Sequence, residues 1–191
     1  RLHTVGAQSR FEHRRTLSVQ TLGWDARARL QALDCVSPAE APAWESVSGM
    51  ALELAQTAFD RLGPLRTLRL HGDCHPGNIL WREEGPHVVD LDDACNGPAV
   101  QDFWMLLSGD AAGAERQLQW MLEGYRQFRE FDEAELQLIE PLRTLRMIHH
   151  AAWIAERWAD PAFPRAFPWF GTPAYWSQLS TQLREQIEKM G

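Results

Sequence analysis

The chain has 191 residues, 45% of them hydrophobic and 24% charged, and a net charge of −7, the make-up of an ordinary globular protein long enough to bury a core. Without a run of basic residues it lacks the phosphate-neutralising surface of a nucleic-acid binder, and no apolar stretch approaches the roughly 18 residues of a membrane span. Its three cysteines, Cys35, Cys74 and Cys95, form no CxxC pair, which argues against a disulfide framework and fits a reducing cytoplasm.

Arg1 stands where an initiating Met would, so the chain is expected to be part of a longer product. Residues 1–23 read as the end of a helix and a polar loop holding Arg14 and Arg15; 24–33 reads as a short helix. After the Pro38 and Pro42 connection, a helix is predicted over 43–62, with Val47, Met50, Leu54, Ala58 and Leu62 on one stripe, ended by Gly63-Pro64. A short strand over 67–70 delivers the chain to a loop at 71–78. Two more strands, 78–81 and 87–91, are joined through Glu83-Glu84-Gly85-Pro86 as a hairpin. Asn96-Gly97-Pro98 predicts a turn, with Pro98 opening a helix to about residue 108. Helices follow over roughly 113–129, 132–158 and 173–189, Pro141 kinking or restarting the second. The proline- and aromatic-rich 163–170 predicts an ordered loop. Six of the nine tryptophans lie in the second half, which predicts a large aromatic core or a grooved surface there. The expected fold is mainly α (α+β): one helical lobe over 1–191 with a single small β-hairpin carrying a polar cluster.

That cluster holds the chemistry. Phosphoryl transfer needs a carboxylate near the attacking hydroxyl, plus an amide oxygen and a second carboxylate to hold Mg²⁺. Asp73, Asn78 and Asp90 supply those groups in that order, in His71-Gly72-Asp73-Cys74-His75-Pro76-Gly77-Asn78 and Val88-Val89-Asp90-Leu91-Asp92-Asp93. Asp73 is the candidate base; Asn78 and Asp90 are the candidate ligands for a hard, oxygen-seeking cation. Singly, each has an ordinary explanation as a turn, cap or solvated loop residue; the combination, in order and spacing, favours the kinase chemistry. His71 and His75 stand four apart around Cys74, yet Gly72, Pro76 and Gly77 argue against the helix of an HExxH zinc site. His71 is expected to be a scaffold residue and His75 a loop residue.

The pattern His71-Gly72-Asp73-x-His75-x-x-Asn78 followed by Asp90-x-Asp92 resembles the aminoglycoside phosphotransferase/choline kinase-like superfamily, relatives of eukaryotic protein kinases. The stretches 70–82, 89–94, 96–102 and 157–164 resemble one bacterial branch of it, the stress response kinase A family of serine/threonine protein kinases. The resemblance implies a C-terminal lobe of a protein-kinase-like fold, with a catalytic loop at 71–78, a metal-binding segment at 88–93 and a helical substrate-side subdomain at 98–191. It also implies Asp73 as base, Asn78 and Asp90 as magnesium ligands, Asp90 acting in catalysis as well, and ATP as phosphoryl donor. For Asp102 two readings stand: a brace for the catalytic-loop backbone, or a helix N-terminal carboxylate favoured by the dipole.

The other half of a kinase site is missing. The chain has no GxG, and its only lysine is Lys189, so neither a phosphate-covering loop nor a nucleotide lysine is present. The expected protein is a cytoplasmic, ATP- and Mg²⁺-dependent kinase of protein serine or threonine, present here without its N-terminal lobe and inactive alone. The alternatives are a small-molecule kinase of the choline, homoserine or aminoglycoside type, or a non-catalytic binding module.

Overall fold

The computed structural model describes residues 1–191. In chain order the helices are α1 (Leu2–Gly6), α2 (Asp25–Ala32), α3 (Ala41–Leu62), α4 (Gln101–Trp104), α5 (Ala111–Arg126), α6 (Ile139–Glu156), α7 (Ala162–Ala166) and α8 (Pro173–Met190). The strands are β1 (Leu68–Leu70), β2 (Ile79–Arg82), β3 (Gly85–Val88) and β4 (Cys95–Gly97). They divide between two compact units, one of Arg1–Leu17 and Pro64–Ile139, the other of Ser18–Gly63 and Glu140–Gly191.

The first unit holds all four strands. β2 and β3 form the expected hairpin, with Ile79 opposite Val88 and Arg82 opposite Gly85, so Glu83-Glu84 make the tip and Gly85-Pro86 begin the return strand. A second antiparallel pair was not legible: β1 pairs β4, Leu68 opposite Gly97 and Leu70 opposite Cys95. Cys95–Gly97 is therefore a buried strand and not the predicted turn. Tertiary pairing overrides the turn chemistry here. Asn96 turns its side chain onto the Phe11 backbone, accepting from N–H at 2.9 Å and donating to the carbonyl at 3.0 Å. Gly97 leaves room for the Leu70 and Leu17 side chains, which a Cβ there would meet. Val100, Phe103, Leu122 and Phe131 fill the core beneath, with the Phe103 ring 5.1 Å from Tyr125 and 5.2 Å from Phe131.

The second unit is helical. The α3 stripe that enters its core runs through Trp44, Val47, Ser48, Ala51, Leu52 and Ala55, a rotation from the predicted one that leaves Met50 exposed. The small side chains at 48, 51 and 55 face inward, and α3 packs along α8. Trp44 and Trp176 are fully buried and meet edge to face at 5.3 Å, while Trp176 Nε1 donates to the Cys35 carbonyl at 2.9 Å. A tryptophan buries well when its N–H finds an acceptor.

Two further predictions shift. The 132–158 segment divides into a 3₁₀ stretch, Glu133–Leu138, and α6. Pro141 falls in the first turn of α6, where a missing N–H costs least. Within 163–170 the chain forms the short helix α7, begun from Pro161 with Pro164 in its first turn. The second-half aromatics form a half-exposed cluster and not a closed core: Trp153, Phe163, Phe167, Trp169, Tyr175 and Phe170 make successive ring contacts of 5.0 to 6.1 Å, with Phe170 buried and Trp169 exposed. A cleft of about 670 Å³ opens beside it, lined by Leu33, Cys35, Ala155, Trp158, Phe170 and Thr172. No helix is long and apolar enough to cross a membrane.

Candidate active site

β1 ends at Leu70 and hands the chain to His71, whose side chain is fully buried. The His71 ring uses both nitrogens on backbone. Nε2 donates to the Val89 carbonyl at 2.8 Å, and Nδ1 accepts from the Asp73 N–H at 3.3 Å. That pairing sets the neutral Nε2–H tautomer and makes His71 the expected scaffold residue.

Gly72 follows with φ +87, and a Cβ there would run into the Asp93 carbonyl. The 71–78 loop backbone thus passes against the residues after Asp90 with no space for a side chain. Asp73 comes next, its side chain 16% exposed. His75 caps the 3₁₀ turn Pro76–Asn78 through Nδ1, which accepts from Gly77 N–H at 3.1 Å. Its Nε2 lies 3.7 Å from Asp73 Oδ2, beyond hydrogen-bond reach. His75 is a loop-shaping residue.

The turn delivers a buried Asn78 to the start of β2. Its amide nitrogen donates to the Asp73 carbonyl at 3.0 Å. Its own carbonyl accepts from Val89 N–H at 3.0 Å. Val89 is therefore gripped at both of its backbone polar groups, by Asn78 at N–H and by His71 at C=O. Asp90, the next residue, sits at the end of the hairpin with φ +62, a left-handed conformation that aspartate tolerates better than most residues. Asp73, Asn78 and Asp90 are thereby joined by short main-chain links within one unit.

The segment after Asp90 is held by groups that sequence reasoning missed. Arg14 Nη1 donates to the carbonyls of Leu91, Asp92 and Ala94 at 3.0, 2.8 and 3.2 Å. Arg15 Nη2 pairs with Asp93 Oδ1 at 2.9 Å. The two arginines were visible only as part of a polar loop, and nothing in their spacing pointed to residues 91–94. Asp102 resolves to the brace: Oδ2 accepts from His71 N–H at 2.8 Å and Oδ1 from Gly72 N–H at 2.9 Å. Beside it, Gln101 Nε2 donates to the Gly72 carbonyl at 2.9 Å.

The oxygen donors fit a hard divalent cation. Asn78 spends its amide nitrogen on Asp73, so the end it offers to a ligand is Oδ1. Asp90 is solvent-exposed, and the one contact its carboxylate makes within the loop is a long one from Asp92 N–H, 3.5 Å to Oδ1. Cys74, between Asp73 and His75, is buried; burial, then the charges of Asp102 and Asp73, push its thiol up to about 12. It stays protonated and is no nucleophile at neutral pH.

The family model described as "Phosphotransferase enzyme family" matches residues 1–167. Stress response kinase A of Escherichia coli K12 is 45% identical over 188 residues, covering 98% of this chain and 56% of that protein. The "Serine/threonine protein kinase RdoA" of Salmonella typhimurium LT2 is 42% identical over the same shares. The chain spans about half the length of these curated relatives. Among solved structures, the amicoumacin kinase hAmiN in complex with AMP-PNP, Ca²⁺ and Ami superposes with a TM-score of 0.63 at 21% identity, over 99% of this chain and 55% of that one. At that identity the likeness concerns the fold.

Proposed function

This chain belongs to the phosphotransferase enzyme family, and we propose that it is the catalytic and metal-binding C-terminal lobe of an ATP- and Mg²⁺-dependent kinase acting on protein serine or threonine. The observation that carries this reading is the double grip on Val89, which ties the Asp73 loop, Asn78 and the Asp90 segment together.

Asp73 receives or orients the proton of the acceptor hydroxyl. The acceptor oxygen forms a bond to the γ-phosphorus, the bond from that phosphorus to the β–γ bridging oxygen breaks, and ADP leaves. Asn78 Oδ1 and the Asp90 carboxylate would hold Mg²⁺, which when bound offsets phosphate charge. The name of the Salmonella relative, a serine/threonine protein kinase, supports a protein hydroxyl as acceptor. The complex of the fold neighbour with AMP-PNP and Ca²⁺ supports a nucleotide and a divalent cation. The nucleotide-covering loop and lysine would come from a lobe outside residues 1–191.

A small-molecule acceptor is the second reading, favoured by the amicoumacin kinase's share of the fold and compatible with the −7 charge. The test is phosphoryl transfer by the full-length protein with and without Asp73→Asn, offered protein and small-molecule acceptors in parallel. Loss of the base is expected to cost about 10²–10⁴-fold. An unchanged rate removes Asp73 from the mechanism, and transfer to amino alcohols alone selects the second reading.

A further inference from the structure

His3 lies on α1, 99 residues from Asp102, yet its Nε2 is 2.8 Å from Asp102 Oδ2. Both side chains are about one-twentieth exposed. The oxygen that His3 meets is the one that also accepts from His71 N–H; the other accepts from Gly72 N–H. A buried carboxylate is tolerated when its lone pairs are taken by donors, and His3 supplies the only side-chain donor of these three.

The orientation of His3 is set in turn. Its Nδ1 lies 3.1 Å from the Tyr125 hydroxyl. The Asp102 carboxylate oxygen accepts, so Nε2 is the ring nitrogen that donates to it, and the Tyr125 hydroxyl holds the ring from its other nitrogen. The imidazole also packs edge-on to the Tyr125 ring at 5.6 Å and against Phe103 at 6.3 Å.

We propose that His3 is a positioning residue of the phosphoryl-transfer site, acting through Asp102 to hold the His71 and Gly72 amides and so to place Asp73. The proposal rests on the kinase reading for its effect on rate, and on geometry alone for its effect on the loop. A carboxylate anchored by a buried side-chain donor cannot swing away from the two amides without breaking a buried hydrogen bond. The chain from Tyr125 through His3 and Asp102 to the catalytic loop thus couples α5 and α1 to the placement of the base.

The experiment compares wild type, His3→Leu, His3→Gln and Tyr125→Phe in the full-length protein. Leucine fills the ring's space without a donor; the glutamine amide can reach the same carboxylate oxygen. In His3→Leu, amide hydrogen exchange at 71–73 should quicken, and kcat should fall roughly tenfold to a hundredfold, as misplacement of a catalytic group does, while KM for ATP holds within about twofold. His3→Gln should recover most of both. Tyr125→Phe, which removes one hydroxyl and keeps the ring, should quicken the same amides more mildly and serves if His3→Leu does not fold. Wild-type exchange at 71–73 in both His3→Leu and Tyr125→Phe overturns the proposal, as does a His3→Gln enzyme as slow as His3→Leu. If Asp73→Asn leaves transfer unaffected the kinase reading fails, while the exchange data still decide whether His3 holds the loop.

Discussion

The side-chain amide of Asn78 donates to the main-chain carbonyl of Asp73 at 3.0 Å, so the proposed metal ligand also fixes the backbone of the proposed base. Asn78→Asp would keep the size and add a ligand charge, but would set a carboxylate oxygen against that carbonyl. The loop should loosen, with a stability loss of about 1–3 kcal/mol for the broken buried bond. Mg²⁺ titration of phosphoryl transfer should show a lower maximal rate at saturating metal. A variant that differs from wild type only in metal affinity would show that the Asp73 contact has no part in catalysis.

Gly72 is the second constraint in the loop. It combines φ +87 with a site where a Cβ would strike the Asp93 carbonyl. Gly72→Ala should therefore be costly twice over, through left-handed strain of order 1–3 kcal/mol and through displacement of the proposed metal segment. Urea unfolding should report a lower midpoint with an unchanged slope. Gly109, also at positive φ but with open space around it, is the control: Gly109→Ala should cost clearly less.

How far the site was legible follows from sequence distance. Asp73, Asn78 and Asp90 fall within one loop and one hairpin, so order and spacing alone brought them forward, and His71 and His75 took the scaffold roles that glycine and proline neighbours implied. His3 and Arg14 reach their partners across 99 and 78 residues. Neither has a local pattern that marks it. The hairpin was readable because its partners are adjacent, whereas β4 was hidden because Asn96-Gly97-Pro98 is locally a turn and becomes a strand only against β1. On α3 the period was legible but the phase was not: hydrophobicity chose Met50, whereas packing against α8 put Ala51 and Ala55 inside.

Arg14 offers a test of the proposed metal segment that leaves its carboxylates untouched. One guanidinium nitrogen serves the carbonyls of Leu91, Asp92 and Ala94, and an exposed contact of this kind contributes little to global stability. Arg14→Ala should accordingly shift the unfolding midpoint only slightly, yet raise the Mg²⁺ concentration needed for half-maximal transfer. Arg14→Lys, with a single point charge in place of a fork, should fall between. An Mg²⁺ dependence identical to wild type in Arg14→Ala would remove the clamp from the metal site.

The thiols report on burial in the same region. Cys74 is pushed up to about 12 and Cys95 to about 11, burial being the largest cause for both, with the Arg15 charge pulling Cys95 the other way. Because the thiolate is the reactive form, iodoacetamide at pH 8 should label both far more slowly in folded protein than in urea. Cys74→Ala should leave phosphoryl transfer in place. Prompt alkylation of native Cys74 would mean that the 71–78 loop opens on its own.

Glu135 gives the fold a pH dependence of defined sign. Burial raises its carboxyl above the ordinary 4.5, and the Val100 N–H, donating to Oε2 at 2.9 Å, offsets this only in part. The folded chain therefore keeps a proton that the unfolded chain has released. The associated stability is fully present below the ordinary carboxyl value and is lost as pH rises through the raised one. Glu135→Gln retains an acceptor for Val100 N–H and has no proton to lose. The urea midpoints of wild type and Glu135→Gln should thus separate as pH climbs from about 4.5, the variant gaining on wild type until the difference levels off. Curves that stay parallel across that window would show that Glu135 is not the group that titrates.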